Sequence, residues 1–373
     1  MRKYLIVILM TLVIAGCAPV TKEEYTRYTN QTVEAGFDTL ISMIAYTKTP
    51  EEFAEYFDMM KNEFYRYHQL FDKYNAYEGI NNIYTINQYA GITPVTVDPV
   101  IIDMLLISKE WYEKSNYQFN VTLGAVLKVW SAYRDEAQIL NSDGKPGVIP
   151  PLALLEEKLV CTGWEYIEID EEKNTVYITD ACASLDVGGV AKGYATELVA
   201  RKLEESGLTM GILNAGGNVR SIGTKPENEP WAVGIESPDM GGVASLDTIR
   251  LPESTSFVTS GDYQRYFIGP DNVTYHHLID PTTLMPATHF RAVTVISEDS
   301  GLADILSTTI FLLSYQDGVK LIEALQQQYP DQVIGAIWVF EESQIPEGVA
   351  AVKSGGYYIA ISPSLVTYSR IFA

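Results

Sequence analysis

Residues 184–195, SLDVGGVAKGYA, form the stretch around which the rest of the chain is organised. They follow a strand-like run at residues 175–179 and lead into apolar residues at helical spacing, so their glycines lie at a strand-to-helix turn. Glycines let a ligand approach the backbone closely, and the first turn of a helix offers unpaired N–H groups to an anion. Lys192 adds a cation, which suits the turn to phosphate. Simple packing of a helix on a strand gives the same pattern, and this stretch alone leaves both interpretations open.

Asp186 places a negative charge in the same turn. A carboxylate beside a phosphate site repels the ligand unless it holds a hydroxyl, a base or a metal ion. The combination of Asp186 with Lys192 therefore suggests a nucleotide that binds together with magnesium.

The N-terminus has the layout of an export signal. Residues 1–17, MRKYLIVILMTLVIAGC, contain two basic residues, a short apolar run and small residues before a cysteine. The ending IAGC resembles the bacterial lipobox, which implies a signal peptide at residues 1–16 and lipidation of Cys17. An ordinary cleaved signal and a short membrane helix are the alternatives, but the apolar run is too short to cross a hydrocarbon core of about 30 Å. We expect a protein anchored to the cell membrane by this lipid alone, on the extracytoplasmic side, with residues 17–32 as lipid anchor and polar tether.

The composition is that of a globular protein, with 47% hydrophobic and 20% charged residues in a chain of 373. After the tether the sequence contains no linker and no internal repeat, which predicts one elaborate domain over residues 33–373. The formal net charge of −22 argues against nucleic acid and anionic lipid headgroups as partners, because both are polyanions. An anionic nucleotide would therefore need a local cationic or metal site.

Strand and helix patterns are mixed without regular alternation, which favours an α+β fold with a mixed, mainly antiparallel sheet and packed helices. The expected strands lie at residues 33–47, 166–170, 175–179, 211–214, 219–223, 231–237, 255–260, 263–269 and 335–340. The expected helices lie at residues 50–73, 99–115 and 302–314, with others after the turns at residues 118–124 and 184–195. Thr49 as cap and Pro50 in the first turn mark the start of the first helix.

Two cysteines, Cys161 and Cys182, flank the open end of the hairpin predicted at residues 166–179. In an oxidising compartment a disulfide is geometrically possible, and two free thiols are the alternative. Neither cysteine has the neighbours that would indicate a zinc or redox motif.

Two polar segments follow the sheet-forming region. Residues 259–267, TSGDYQRYF, contain Arg265, which could bind a phosphate or form a surface ion pair. Residues 275–281, YHHLIDP, contain His276 and His277. Neighbouring residues of a strand face opposite ways, so at most one of these histidines is expected to point into a given site.

The last segment is LADILSTT, residues 302–309. Asp304 and Thr308 are four residues apart and share one helical face, where their oxygens can reach a hard cation. Burying the Asp304 charge in so apolar a helix without a partner would be costly, and a metal ion would remove that cost.

Together the motifs SLDVGGVAKGYA, NAGGNVRSIG, TSGDYQRYF, YHHLIDPTTLMP and LADILSTT resemble those of the ApbE family of FAD:protein FMN transferases in order and approximate spacing. The resemblance runs from Gly36 to near the C-terminus. It implies that the protein binds FAD, cleaves the pyrophosphate of FAD with Mg²⁺, releases AMP, and transfers FMN through a phosphoester to a threonine of an extracytoplasmic acceptor flavoprotein.

The resemblance also assigns roles to individual residues. It implies Mg²⁺ ligands at Gly189 (through its backbone oxygen), Asp304 and Thr308. It implies contacts to the flavin nucleotide from Phe37, Tyr74, Gln118, Phe119, Asn120, Asp186, Lys192 and Ile279. Lys192 would also stabilise charge during an in-line attack on phosphorus, and His276, His277 and Asp186 are the candidates for the general base, a histidine being preferred.

The chain departs from the family pattern at three places. Asn120 stands where many members have Asp, and Ser307 stands where some have a further acidic ligand. Phe37 stands where many have Met before Gly-Thr, and that pair is here Asp38-Thr39. Two alternative functions use the same site: a Mg²⁺-dependent FAD pyrophosphatase, with water as acceptor, and a non-enzymatic FAD-binding lipoprotein. Retention of Asp304 and Thr308 favours catalysis.

Overall fold

The structure is a computed structural model that describes residues 24–239, 245–251 and 254–373. The predicted signal peptide, Cys17 and the first part of the predicted tether lie outside the described residues. None of the helices in the described chain is long and apolar enough to cross a membrane.

The described chain contains helices and strands in mixed order. The helices are α1 (Pro50–Phe71), α2 (Ile83–Gln88), α3 (Pro99–Lys114), α4 (Gly124–Ser142), α5 (Leu152–Leu159), α6 (Ala191–Glu205), α7 (Ser300–Leu312) and α8 (Tyr315–Gln328). The strands are β1 (Thr26–Thr32), β2 (Ile41–Thr47), β3 (Val95–Thr96), β4 (Ile167–Asp170), β5 (Thr175–Ile178), β6 (Gly211–Ala215), β7 (Asn218–Ile222), β8 (Trp231–Ile235), β9 (Asp247–Leu251), β10 (Ser256–Gly261), β11 (Phe267–Ile268), β12 (Thr274–Tyr275), β13 (Ala292–Ser297), β14 (Gly335–Phe340), β15 (Val352–Ser354) and β16 (Tyr357–Ile361).

A nine-stranded sheet is the centre of the fold, with the order β1-β2-β6-β7-β10-β13-β14-β16-β15. Every neighbouring pair in it is antiparallel. A smaller sheet has the order β3-β5-β4, and two further sheets pair β8 with β9 and β11 with β12. The predicted α+β class with a mainly antiparallel sheet is therefore confirmed.

Alternating residues of the central strands pack on two different layers. On β14, Trp338 and Phe340 belong to the core shared with α1, α6, α7 and α8, whereas Ile337 and Val339 belong to a second core with β9 and the C-terminal segment. The helical layer is the one that carries the candidate site, because α6 and α7 pack against each other and α7 packs on β10 and β13.

Local sequence signals explain the helix starts. Thr49 accepts a hydrogen bond from the N–H of Glu52, as predicted, and Pro50 occupies the first turn of α1. Asp299 caps α7 by accepting from the N–H of Leu302 at 2.8 Å.

Several predicted boundaries were wrong. The tether was expected to extend to residue 32, but β1 pairs with β2 along its whole length, so the folded region begins before residue 33. The strand predicted at residues 33–47 is limited to β2, and its first half is a turn in which Phe37 and Asp38 have φ of 57° and 48°. The strand predicted at residues 263–269 shrinks to β11, and α2 is a short helix that was not among those predicted.

Cys161 and Cys182 form a disulfide, which decides between the two possibilities left open by the sequence. The bridge closes the open end of the β4–β5 hairpin just before the segment that leads to α6.

Candidate active site

A cavity of about 450 Å³ opens between the loop after α1, the turn before α4, the glycine-rich turn before α6, and α7. Nearly all of the predicted site residues line it: Phe37, Tyr74, Gln118, Phe119, Asn120, Asp186, Gly189, Lys192, His277, Ile279, Asp304 and Thr308. These residues span more than 270 positions of the sequence, so the fold brings together predicted site residues that are far apart in the chain.

The glycine-rich turn lets α6 begin against α7. A Cβ on Gly193 would overlap the Asp304 side chain, and a Cβ on Gly189 would lie 3.4 Å from Thr308 Oγ1. The turn is fixed from the other side by a hydrogen bond from the N–H of Asp186 to the carbonyl of Val121, 2.8 Å long. The close approach of backbone and helix therefore places Gly189 beside the Asp304 and Thr308 face of α7.

Lys192 and Asp304 bring two opposite charges into this part of the cavity. Lys192 Nζ donates to the carbonyl of Gly216 at 2.7 Å, and Asp304 Oδ2 accepts from the N–H of Gly193 at 2.7 Å. Burial raises the pKa of Asp304 to about 6, although the charge of Lys192 opposes the rise. Burial also disfavours the charged form of Lys192 and so lowers its pKa. The protein therefore neutralises the negative charge of Asp304 only in part, and a bound cation would stabilise the carboxylate.

Asp186 forms an ion pair with Lys73, a residue that the sequence analysis did not identify. The two side chains are only 10% and 21% exposed, and Lys73 Nζ also lies 4.9 Å from the centre of the Tyr74 ring. Burial alone would raise the pKa of Asp186, but the charge of Lys73 and hydrogen bonds from Lys73 and Gly188 hold that pKa below its usual value. Asp186 is therefore ionised and does not place an unpaired charge beside a bound phosphate.

The two adjacent histidines face different surroundings, as predicted for neighbouring residues. His277 lines the cavity, and its enclosure together with the guanidinium of Arg265 lowers its pKa to about 3. His276 is buried outside the cavity lining, with Nε2 2.7 Å from the carbonyl of Ala287 and its ring against Phe311. His276 was a candidate base, but its position removes it from that role, and His277 is the histidine that faces the site.

Two further cations and one polar network also line the cavity. Arg265 was noted in the sequence, whereas Arg134 of α4 was not. Asp72 accepts hydrogen bonds from the N–H of Tyr74 at 2.6 Å and from Asn75 Nδ2 at 3.0 Å, which fixes the loop that carries Tyr74. No sequence motif marks Asp72, Lys73 or Arg134, and Lys73 acquires its role through a partner 113 residues away, Asp186.

The other residues predicted to contact the flavin are fixed by hydrogen bonds to neighbouring polar groups or by packing. Gln118 Nε2 donates to Thr282 Oγ1 at 3.2 Å, and Asn120 Oδ1 accepts from the N–H of Thr122 at 2.9 Å. Phe119 and Ile279 are buried side chains that line the cavity, where they can present apolar surface to a ligand. In the described chain no three Asp, Glu, His or Cys residues cluster as a metal site. A cation here would depend on one carboxylate, that of Asp304, supplemented by neutral oxygens.

Comparison with known proteins identifies the family. The model of the ApbE family matches residues 37–331. The FAD:protein FMN transferase of Treponema pallidum is 28% identical over 336 residues, covering 86% of each chain, and that of Klebsiella pneumoniae is 29% identical over 285 residues, covering 75% of this chain and 83% of its own.

Solved structures agree with this match. The crystal structure of the ApbE protein of Thermotoga maritima superposes with a TM-score of 0.72 at 26% identity, covering 92% of this chain and all of that one. The flavin transferase ApbE of Vibrio cholerae has the same fold, with a TM-score of 0.67 at 20% identity over 92% of this chain and 99% of its own. The five motifs, the cavity that unites them and the matched span together show that this chain belongs to the ApbE family.

Proposed function

We propose that this chain is a FAD:protein FMN transferase. The observation that carries the proposal is the meeting of the glycine-rich turn, Lys192 and the Asp304–Thr308 face of α7 in one cavity, in a chain whose relatives bear that name. In the reaction an acceptor hydroxyl oxygen bonds to the phosphorus on the FMN side of the pyrophosphate. The bond from that phosphorus to the bridging oxygen breaks, AMP leaves, and the hydroxyl proton is released.

The residues around Asp304 fit a magnesium ion. Asp304 is a buried carboxylate whose pKa is raised, Thr308 lies one helical turn later, and Gly189 approaches the Thr308 hydroxyl. Hard cations prefer such oxygen ligands. We propose that Asp304, Thr308 and the Gly189 carbonyl hold Mg²⁺, which when bound neutralises charge on the pyrophosphate.

The chain's own groups supply the rest of the site. Lys192 lines the cavity beside the glycine-rich turn as a partly exposed cation and can bind phosphate oxygens. His277 is neutral at physiological pH and can accept the proton of the attacking hydroxyl. A bound phosphate next to His277 and Arg265 would raise the pKa of His277 toward the range in which an imidazole is an effective base.

The acceptor is proposed to be a threonine of an extracytoplasmic flavoprotein. The decisive experiment incubates the protein with FAD, Mg²⁺ and a candidate acceptor and looks by mass spectrometry for FMN on a threonine. AMP and FMN released without labelling of any acceptor would instead indicate the pyrophosphatase. FAD binding with neither product would indicate a carrier, which the buried carboxylate of Asp304 does not favour.

The metal assignment has its own test. Because Mg²⁺ would bind the folded protein through Asp304, saturating MgCl₂ should raise the thermal unfolding temperature of the wild type by several degrees. A ligand well above its dissociation constant typically stabilises the folded state by about 1 to 3 kcal/mol. Asp304→Ala should abolish both this shift and FMN transfer. Asp331→Ala, which removes an exposed carboxylate away from the cavity, is the control and should keep both. An undiminished Mg²⁺ shift in Asp304→Ala would refute the assignment.

We also propose that the protein is lipid-anchored through Cys17 at the outer side of the cell membrane. The support is the signal-like composition of residues 1–17. Cys17→Ser should move the protein from the membrane fraction to the soluble fraction with unchanged specific activity. Tight membrane association of Cys17→Ser would contradict the proposal.

A further inference from the structure

The turn at residues 36–39 forms part of the cavity wall in an unusual backbone conformation. Gly36, Phe37 and Asp38 have φ of 89°, 57° and 48°, and Phe37 and Asp38 line the cavity. A left-handed conformation costs a residue with a side chain about 1 to 2 kcal/mol. Two such residues in succession therefore need a restraint from outside the turn.

His68 of α1 supplies that restraint. The N–H of Phe37 donates to His68 Nδ1 at 3.1 Å, across 31 residues of sequence. The base of the imidazole packs on Gly36, where any Cβ would overlap it, and the Phe37 ring lies edge-on to the imidazole at 5.6 Å. His68 thus holds both the backbone of the turn and the ring of Phe37.

The hydrogen bonds on the other side of the ring fix its tautomer. Tyr77 donates its only hydroxyl proton to Asp72 Oδ2 at 2.8 Å, so the Tyr77 oxygen is left to accept from His68 Nε2, 3.1 Å away. The Phe37 N–H can only donate, so Nδ1 must carry a lone pair. His68 is therefore the neutral imidazole with its proton on Nε2.

We propose that His68 is a positioning residue that holds Phe37 against the bound flavin nucleotide. The proposal rests on the function proposed above. A side chain without an acceptor at the place of Nδ1 would leave the Phe37 N–H without this hydrogen bond, and the turn would lose its restraint.

The test compares FAD binding, by flavin fluorescence, for three forms of the full chain. In His68→Asn the amide oxygen can occupy the place of Nδ1 as acceptor, whereas His68→Phe keeps a ring but offers no acceptor. The Phe variant should bind FAD about tenfold more weakly than the wild type, the effect of one lost hydrogen bond, and the Asn variant should bind within about threefold.

His68→Asn separates the acceptor from the ring, because a merely structural role of the ring would not be rescued by an amide. His289→Phe, the same substitution at an exposed histidine outside the cavity lining, is the matched control and should behave as the wild type. An Asn variant that binds FAD as weakly as the Phe variant, or a Phe variant that binds FAD normally, would overturn the proposal.

A ligand-free measurement separates this inference from the proposed function. The amide proton of Phe37 should exchange with solvent faster in His68→Phe than in the wild type and in His68→Asn, whatever the protein binds. If FAD is bound but no acceptor is labelled, the proposed transferase function fails and the role of His68 stands. If transfer occurs and the Phe37 amide exchanges equally fast in all three forms, the role of His68 fails alone.

Discussion

Lys73 and Asp186 are the residues at which the structure changes the interpretation of the site most. The sequence places Asp186 beside a predicted phosphate-binding turn, where its negative charge would repel the ligand unless it has a partner. The structure supplies Lys73 as its partner, 113 residues earlier in the chain and at the end of the first helical run. The pair joins the loop after α1 to the glycine-rich turn, so it connects two walls of the cavity.

We predict that Lys73→Met lowers the free energy of unfolding by about 3 kcal/mol, because it leaves the Asp186 charge buried without a partner. The double variant Lys73→Met/Asp186→Leu should recover part of this loss, since neither charge then remains. Urea unfolding of the two single variants, the double variant and the wild type gives the coupling energy of the pair. Additive losses in the double variant would show that the two residues do not interact.

The same pair makes the stability of the folded protein depend on pH, and the pKa of Asp186 gives the direction of this dependence. Because Lys73 and Gly188 hold the pKa of Asp186 below its unfolded value, Asp186 stabilises the folded protein above about pH 4, and this contribution is lost as pH falls through its folded pKa. Acid titration of Lys73→Met should therefore show a smaller stability loss below about pH 4 than the wild type.

The hairpin β4–β5 is the element that positions the start of the glycine-rich segment. The Cys161–Cys182 disulfide closes it, and Ser184, two residues further on, bridges to Leu123 in the turn before α4. The anchoring of this segment thus depends on a covalent link as well as on hydrogen bonds.

We predict that replacing both Cys161 and Cys182 by serine lowers the free energy of unfolding by about 3 kcal/mol, the value expected when a loop of this length is no longer cross-linked in the unfolded chain. A reducing agent should destabilise the wild type by a similar amount and leave the double serine variant unchanged. Equal urea midpoints for the oxidised wild type and the variant would contradict this.

Sequence patterns predict these elements well where the signal is local. The Thr49 cap and Pro50 mark the start of α1, and the spacing of Asp304 and Thr308 places both on one face of α7. The pairing of His68 with Phe37 and of Lys73 with Asp186 could not be predicted, because both contacts are made only by tertiary packing. The family resemblance implied which positions contact the flavin but gave no sign of the residues that hold those positions in place.

At the scale of the whole molecule, the boundary of the folded region is the clearest difference from expectation. β1, TRYTNQT, was assigned to the tether because it is polar and shows no apolar alternation. As the edge strand of the sheet it faces solvent on most of its residues, so its sequence need not alternate. It pairs with β2, which lies within the strand predicted at residues 33–47 and buries alternate residues.

β1 should therefore belong to the stable fold. A chain that begins at residue 24 keeps the seven residue pairs of β1 with β2 and the stacking of Tyr28 on Phe53, with ring centres 5.6 Å apart. A chain that begins at residue 33 loses both and exposes the backbone of β2 as a new, apolar sheet edge, a template for aggregation. We predict that the shorter chain is less stable to urea and elutes partly as soluble aggregates in size-exclusion chromatography, whereas the chain from residue 24 is a uniform species with wild-type stability. If both chains unfold at the same urea concentration and elute alike, β1 adds nothing to the fold, and residues 24–32 are a tether in function although they pair as a strand.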